Sequence, residues 1–160
     1  MEYSLSVAEK NDFDISQISE IEKECFTTPW TKTQIASFFD NKNNSVYVIR
    51  TKNYSVIAYC EISFILDEAY ISNIAVKKDY RQIGVGGILL KGIIDISKEK
   101  GISFISLEVR ESNTSALALY NKYGFVQNGV LKNHYTNPKE DACIMTLFLI
   151  EANNRENTGF

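Results

Sequence analysis

The sequence is poor in the residues that metal sites and nucleophilic catalytic triads require. It contains one histidine, His134, and three cysteines, Cys25, Cys60 and Cys143, at spacings that match no metal-ligand pattern. A serine–histidine or cysteine–histidine triad would have to use His134, which lies in the polar stretch NHYTNP. We therefore predict no metal site, a structural or exposed histidine, and reduced cysteine thiols in the core, as is usual in the cytoplasm.

Long apolar runs and an excess of positive charge are also missing. No stretch approaches the roughly 18 apolar residues of a membrane-spanning helix, and the N-terminal MEYSLSVAEKNDFD has neither a basic start nor an apolar segment. The 17 Lys and Arg residues against 20 Asp and Glu give a net charge of −3, which provides no general attraction to nucleic acid or anionic membranes. The expected protein is soluble and cytoplasmic, with no direct nucleic-acid partner and no membrane partner.

What the chain does contain is enough apolar side chain for one domain. Of its 160 residues, 44% are hydrophobic and 12% aromatic, which can fill a single core but leaves no room for a second domain. We expect one domain over residues 1–152 and a polar tail, NNRENTGF, over residues 153–160.

Hydrophobic periodicity predicts the order of the secondary-structure elements. Alternating apolar residues indicate strands, and apolar residues spaced three and four apart indicate helices. Three successive strands joined by short turns predict an antiparallel meander, whereas the following strand, helix and strand predict a parallel pair. The resulting order, βααβββαβαββ, is that of a mixed α/β (α+β) sheet. In detail, we predict Asp12 or Asp14 as the cap of the first helix, closing strands at Phe125–Val126 and 141–150, and a loop over 132–141.

A glycine-rich loop separates a strand from an amphipathic helix in the segment AYISNIAVKKDYRQIGVGG. Gly84, Gly86 and Gly87 would let a phosphate approach the free backbone N–H groups of the first helical turn. The spacing matches neither the nucleotide P-loop nor the dinucleotide fingerprint. A tight strand-to-helix turn explains these glycines equally well, so this pattern alone leaves both interpretations open.

Three polar residues beyond this loop are candidates for a site. Glu108 lies near the C-terminal end of the strand ISLEVR, where open α/β sheets gather ligands. Residue statistics alone would favour a solvated carboxylate there. Asn113 and Tyr120 share one face of the next helix, where a helix cap and a core tyrosine are the simpler interpretation.

These motifs together resemble those of the GCN5-related N-acetyltransferases (GNAT). Arg81-x-x-Gly84-x-Gly86 is similar to the acetyl-CoA motif of that family, and LEVRESNTSALALYNKYGF resembles its LEVR-x-x-N-x-x-A-x-x-L-Y-x-x-x-G-F. The resemblance implies the GNAT fold, with helices on both faces of the sheet and a splayed parallel strand pair at the CoA site. It also implies acetyl-CoA as co-substrate and no metal. The pantetheine arm would bind the backbone of Ile74, Ala75 and Val76, the CoA arm would also contact Asn113, and the pyrophosphate would bind the backbone amides of Gln82, Ile83, Gly84, Val85, Gly86 and Gly87. Glu108 would act as general base, and Tyr120 would act as general acid toward the thioester sulfur.

Within that superfamily the chain is most similar to the RimI-type bacterial enzymes, which acetylate the N-terminal alanine of a ribosomal protein. Pro29-Trp30, Leu66-Asp67-Glu68-Ala69 and Glu140-Asp141-Ala142 have counterparts in that group. The resemblance implies a protein N-terminus as partner. We also expect a monomer. The resemblance leaves open whether five residues touch the acceptor: Trp30, which is equally credible as a core anchor, and Glu68, Tyr135, Glu140 and Asp141.

Two other functions fit the same motifs. A GNAT enzyme that acetylates lysine side chains or a small amine would carry the same acetyl-CoA motifs. A CoA-binding sensor without catalysis is a further alternative, although the presence of both Glu108 and Tyr120 favours an enzyme.

Overall fold

The computed structural model describes residues 2–150, which contain seven strands and four α-helices in the predicted order βααβββαβαββ. The strands are β1 Tyr3–Val7, β2 Asn44–Thr51, β3 Val56–Ile65, β4 Glu68–Val76, β5 Phe104–Arg110, β6 Val126–Thr136 and β7 Lys139–Phe148. The helices are α1 Asp12–Cys25, α2 Lys32–Phe38, α3 Val85–Glu99 and α4 Thr114–Lys122, with a 3₁₀ turn at Lys78–Tyr80. None of the helices in this part of the chain has the length and apolar character needed to span a bilayer. The expected polar tail, 153–160, lies outside the described residues, and the domain boundary at residue 152 stays a prediction.

The seven strands form one mixed sheet in the order β1-β2-β3-β4-β5-β7-β6. Neighbours from β1 to β4 are antiparallel, with short turns joining β2 to β3 and β3 to β4, and β5, β7 and β6 are antiparallel as well. β4 and β5 are parallel because α3 carries the chain back across the sheet between them. The predicted fold class is confirmed.

Helices cover both faces of this sheet. α3 lies on one face, where its apolar stripe contributes to the larger core through Val85, Leu89, Leu90, Ile93 and Ile94. α1 and α2 cover the opposite face and bury Ile15, Ile18, Ile21 and Ile35. The sheet therefore lies between two layers, and strands β2 and β3 contribute to both cores.

The end of the chain differs from the sequence prediction. Instead of a two-residue strand at Phe125–Val126 and a loop over 132–141, β6 runs from Val126 to Thr136 and pairs with β7 along most of its length. β6 is an edge strand, and most of its residues are exposed. The hydrophobic alternation that marks a half-buried strand is therefore absent, and the pairing that makes it a strand is not visible in its own residues.

The first helix also begins differently. Asn11 is the cap, and its side-chain oxygen accepts the backbone N–H of Asp14 at 2.8 Å. Asp14 itself is buried, where both of its oxygens accept hydrogen bonds of 2.8 Å from Arg50. Burial opposes the ionised form of Asp14, but the hydrogen bonds from Arg50 and from the backbone of Glu9 outweigh it and lower the pKa. The prediction of Asp12 or Asp14 as the cap was wrong because a tertiary ion pair engages Asp14.

Two glutamates are fully buried next to the sheet. Glu22 of α1 accepts hydrogen bonds from the Tyr59 hydroxyl, from Asn73 Nδ2 at 2.8 Å and from the Trp30 backbone at 3.0 Å. The two side-chain oxygens of Glu61, on β3, have no hydrogen-bond partner within the described residues. Burial, reinforced by the nearby Glu22, raises the pKa of Glu61 from its ordinary value of 4.5 to about 8. Glu61 therefore remains protonated in the folded protein at neutral pH.

This raised pKa predicts a pH dependence of the free energy of unfolding. Between pH 4.5 and about 8 the folded chain retains the Glu61 proton that the unfolded chain has lost, so stability from this group falls as pH rises. Glu61→Gln should remove that fall and be more stable than the wild type above pH 8, by a few kcal/mol at about 1.4 kcal/mol per pKa unit. Urea unfolding from pH 4 to 9 measures the difference.

The matched control is Glu20→Gln, an exposed glutamate on α1. It should leave the wild-type pH dependence unchanged. Parallel curves for wild type and Glu61→Gln across the whole range would show that Glu61 ionises normally in the folded protein.

Candidate active site

A gap opens in the sheet where β4 and β5 part. The two strands pair at four positions, from Glu68 with Phe104 to Ile71 with Leu107, and the pairing then ends although both strands continue. At the same point the register between β3 and β4 shifts, leaving Ser72 as an extra residue on β4. Such a bulge increases the local twist of the strand. The predicted splayed pair is present.

The C-terminal half of β4, residues 72–76, directs backbone groups into this gap. The Lys77 N–H donates to the Ile57 carbonyl at 2.8 Å, and antiparallel pairs alternate between bonded and non-bonded, so Ala75 also bonds toward β3. Ile74 and Val76 therefore turn their N–H and C=O groups away from β3. The Val76 carbonyl already accepts from Arg81 Nε at 3.0 Å. The Ile74 N–H and C=O and the Val76 N–H remain for a ligand.

The gap widens into a cleft of about 1010 Å³, at the upper end of the range for small-molecule sites. Its walls come from the C-terminal halves of β4 and β5, the start of α4, the α1–α2 loop and the β6–β7 hairpin. Four residues predicted for the site line it: Ile74, Glu108, Asn113 and Tyr120. The α1–α2 and β6–β7 segments contribute Trp30, His134, Tyr135 and Glu140.

The glycine loop builds an anion cradle at the start of α3. Gly84 is the cap of that helix, with φ of 90°, and no side chain caps the first turn. The first helical bond runs from the Ile88 N–H to the Gly84 carbonyl, which leaves the amides of Val85, Gly86 and Gly87 without helical partners. Gln82 also has a positive φ, of 63°. A pyrophosphate fits such a helix N-terminus well.

The three glycines differ in what a side chain at each position would contact. A Cβ on Gly84 would meet nothing within 4 Å, whereas one on Gly86 would lie 3.3 Å from Leu119 and one on Gly87 would lie 2.7 Å from the Tyr123 hydroxyl. Gly86 and Gly87 thus lie where α3 packs closely on Leu119 and Tyr123. That the three glycines let a phosphate approach the backbone stays a prediction, and for Gly86 and Gly87 the missing side chain also makes room for protein atoms.

Glu108 lies at the open end of β5, and its side chain is 46% exposed. Residues 104–109 alternate in burial, with Ile105, Leu107 and Val109 facing the core. Glu108 Oε2 is 2.7 Å from Nε2 of His134 on β6. No sequence pattern around His134 indicated a site, and the prediction of a structural or exposed histidine did not include this contact.

Tyr120 enters the cleft from α4. Its ring is buried and packs against Phe125 at 5.6 Å between centroids. Burial raises the pKa of the hydroxyl, with smaller contributions from Cys60 and Tyr135, so the phenol stays protonated at neutral pH. Within residues 2–150 the hydroxyl has no hydrogen-bond partner, which leaves its proton available to a ligand.

Asn113 begins the same helix. Its Oδ1 accepts the Ala116 N–H at 3.2 Å, as a cap should, and the residue also lines the cleft. The two interpretations of Asn113 are therefore compatible, because the capping oxygen leaves the side-chain amide N–H groups free of that role.

A hydrogen bond joins two of the segments that line the cleft. The Thr27 hydroxyl in the α1–α2 loop donates to the Asn137 carbonyl at 2.7 Å, which joins that loop to the β6–β7 turn. Arg110 holds the same turn from β5 by donating to the carbonyls of Asn137 at 3.2 Å and Pro138 at 2.9 Å. Its guanidinium also lies over the Tyr135 ring, 4.2 Å from the centroid. The bridge narrows the space through which an acceptor can approach.

The five possible acceptor contacts divide into two groups. Trp30, Tyr135 and Glu140 line the cleft, and Trp30 also packs on Phe38 as a partial core anchor. Glu68 lies at the paired end of β4, where it accepts from Tyr70. Asp141 accepts from Lys132 and from the Asn133 N–H. Neither Glu68 nor Asp141 lines the cleft.

Residues 15–125 match the Acetyltransferase (GNAT) family. The splayed parallel strands, the cradle at α3 and the helix-borne Tyr120 are the parts of this chain that the resemblance to that family required. The chain belongs to the acetyltransferase (GNAT) family.

Particular enzymes similar to this chain act on a ribosomal protein. The Escherichia coli (strain K12) ribosomal protein bS18-alanine N-acetyltransferase is 35% identical over 136 residues, which cover 84% of this chain and 90% of that one. A Bacillus subtilis (strain 168) protein that bears the same name provisionally is 38% identical over 138 residues, covering 86% and 91%. The crystal structure of the Escherichia coli ribosomal-protein-S18-alanine N-acetyltransferase superimposes with a TM-score of 0.87 at 34% identity, covering 99% of this chain and 100% of that one. The RimI-type resemblance is confirmed.

Acetyl-CoA suits the geometry of the cradle and the free edge of β4. Both offer backbone donors, so the exposed Gln82 and Ile83 need supply no side-chain contact. Residues 2–150 contain no group of three or more His, Cys, Asp or Glu side chains arranged for a metal ion. The expectation that no metal takes part stays a prediction.

The cradle predicts that a side chain at Gly84 competes with the ligand. Gly84→Asp should fold, because aspartate tolerates positive φ and caps helices well. Its carboxylate would occupy the first-turn amides and repel the pyrophosphate, and acetyl-CoA affinity should fall roughly 10- to 100-fold, the worth of one hydrogen bond to a charged group. Isothermal titration calorimetry measures the change.

Gly101→Asp is the matched control. Gly101 follows the other end of α3, with φ of 73° and equally open space around a Cβ. That variant should bind acetyl-CoA normally. Equal affinity in Gly84→Asp and the wild type would place the pyrophosphate elsewhere.

Proposed function

We propose that this protein transfers the acetyl group of acetyl-CoA to the N-terminal α-amine of a protein, an alanine at the terminus of a ribosomal protein. The observation that carries this function is the convergence of Glu108, Tyr120 and the free backbone of Ile74 in one cleft beside the cradle. The named activities of the similar enzymes support the choice of acceptor.

The acceptor amine must be neutral to attack. An α-amine has a pKa of about 7.7 to 8.0, against about 10.4 for a lysine side chain, so it is the easier nucleophile near neutral pH. Glu108 takes a proton from the amine nitrogen as attack proceeds. The Glu108 side chain is 46% exposed. Contact with solvent provides a route for the proton to leave.

The other two groups act on the acyl donor. Acetyl-CoA supplies an acetyl group already activated as a thioester. The Ile74 N–H, turned into the gap by the alternation of β4, stabilises the negative charge that develops on the carbonyl oxygen. Tyr120 is buried and protonated, and it gives its proton to the departing sulfur. Asn113 and the amides from Gln82 to Gly87 hold the donor.

The bridge between two walls of the cleft favours a chain terminus over an internal segment. The hydrogen bond between Thr27 and Asn137 closes the cleft on one side, so an acceptor enters end-on rather than lying across it. The cleft carries the carboxylates of Glu22, Glu108 and Glu140 against one guanidinium, that of Arg110. Proteins that bind RNA phosphates carry basic segments, which this charge attracts.

An acceptor of this kind places the reaction in the cytoplasm, and the protein is expected to act as a monomer.

Removing either proton-transfer group should slow turnover without weakening donor binding. Tyr120→Phe and Glu108→Gln should each lower kcat by about 10² to 10⁴, the usual worth of a positioned acid or base. Acetyl-CoA affinity should be nearly unchanged, because both groups act on the reacting atoms. Steady-state kinetics together with calorimetry separate the two quantities.

Tyr54→Phe serves as control, since Tyr54 is an exposed residue between β2 and β3. Its kcat should equal that of the wild type. Wild-type rates in both site variants would remove Glu108 and Tyr120 from the mechanism and leave proximity as its basis.

The acceptor is tested with peptides that differ only at the terminus. A peptide with a free N-terminal alanine, an internal lysine and a basic segment should be acetylated at its α-amine. Blocking the terminus should abolish turnover, and the help from the basic segment should weaken as salt screens it. Mass spectrometry locates the acetyl group. Acetylation confined to the lysine, or turnover unaffected by the block, would favour an enzyme of lysine side chains or small amines instead.

A further inference from the structure

The contact between His134 and Glu108 has no part in the mechanism above. Nε2 of His134 is 2.7 Å from Oε2 of Glu108, the distance of a charge-assisted hydrogen bond. Among residues 2–150 no other side chain makes a hydrogen bond or ion pair with Glu108. The one carboxylate assigned to proton removal is thus held by the one histidine of the chain.

An irregularity in β6 presents this histidine. Leu131 pairs with Ala142 and Tyr135 with Glu140, so three residues of β6 stand opposite Asp141 alone. Asn133, in the middle of the insertion, has φ of 54°, in the left-handed region that asparagine adopts more readily than most other residues. Asp141 holds the insertion by accepting from the Asn133 N–H at 2.8 Å and from Lys132 Nζ at 2.9 Å.

Stability does not explain why this arrangement is built. The two side chains are 39% and 46% exposed, and ion pairs with that exposure contribute little to folding. The insertion instead interrupts the β6–β7 pairing that a regular hairpin would keep. His134 also meets Tyr135 edge-on at 4.9 Å between centroids, a contact that any ring at this position would keep. What only a nitrogen-bearing side chain provides is the 2.7 Å contact between Nε2 and the Glu108 carboxylate.

We propose that His134 is a positioning residue for the general base. Its Nε2–H donates to Oε2 of Glu108 and fixes the rotation of the carboxylate, so that the other oxygen, Oε1, faces the acceptor amine. This inference rests on the proposed acetyl transfer. In the step itself the amine N–H bond breaks as the proton bonds to Oε1 and nitrogen bonds to the acetyl carbon. The C–S bond breaks, and the sulfur takes the Tyr120 proton. Water later restores both groups, and the His134 proton stays in place.

Two substitutions separate the hydrogen bond from the ring. His134→Phe keeps the ring and its contact with Tyr135 but removes the donor. His134→Gln loses the ring but can place an amide N–H near the position of Nε2. We expect His134→Phe to lower kcat roughly 10- to 100-fold, as a misplaced catalytic group does, with the KM for peptide and the acetyl-CoA affinity nearly unchanged. His134→Gln should recover most of the lost rate.

A double-mutant cycle with Glu108→Gln tests whether His134 acts through Glu108. If it does, adding His134→Phe to Glu108→Gln should produce no further loss of kcat. The proposal is overturned if His134→Phe retains wild-type kcat, if His134→Gln is as slow as His134→Phe, or if the losses in the cycle multiply. Equal melting temperatures of the single variants confirm that the fold survives.

The contact itself can be observed without turnover. Because the chain has one histidine, its imidazole ¹⁵N signals are assigned without ambiguity. The Nε2 signal should change on Glu108→Gln, which replaces the ionic acceptor, and an unchanged signal would overturn the proposal even if the enzyme proved inactive. A wild type that acetylates no amine while Nε2 responds would instead count against the proposed function alone.

Discussion

The parting of β4 from β5 is the constraint on which the rest of the molecule depends. The strands pair as far as Ile71 and separate where Ser72 is inserted opposite β3. Because a bulge increases twist, the C-terminal half of β4 turns away from β5 and keeps only its pairing with β3. Backbone donors at Ile74 are then left without a strand partner, and the space that a continuous sheet would have filled becomes the cleft.

Contacts at the cradle and at the β6–β7 turn hold this opening. At the cradle, Gly87 lets α3 approach Tyr123 of α4, and Arg81 donates to the carbonyl at the end of β4. Arg110 holds the β6–β7 turn, and Thr27 joins that turn to the α1–α2 loop. A rigid opening matters because catalytic groups lose efficiency when they are misplaced by about 1 Å. Most of the residues that frame the cleft therefore serve its shape rather than its chemistry.

Features with a local cause could be predicted from sequence, and features created by strand register could not. The start of α3 at Gly84 and the cap at Asn113 each follow from a short pattern within one segment. The extent of β6 could not be predicted, because an exposed edge strand lacks hydrophobic alternation. The contact of His134 with Glu108 depends on an insertion in β6 relative to β7, which neither segment reveals by itself.

Glu22 joins two walls of the cleft, the α1–α2 loop and the C-terminal half of β4. Its carboxylate accepts from the backbone of Trp30 in the α1–α2 loop and from the side chain of Asn73, the residue between the Ser72 bulge and Ile74. A buried carboxylate is costly unless donors surround it, and here those donors come from a loop and a strand that are otherwise separate. Removing Glu22 would leave each of them with an unpaired polar group. Because losing these hydrogen bonds would be costly, Glu22 holds the α1–α2 loop in place relative to the Ile74 N–H.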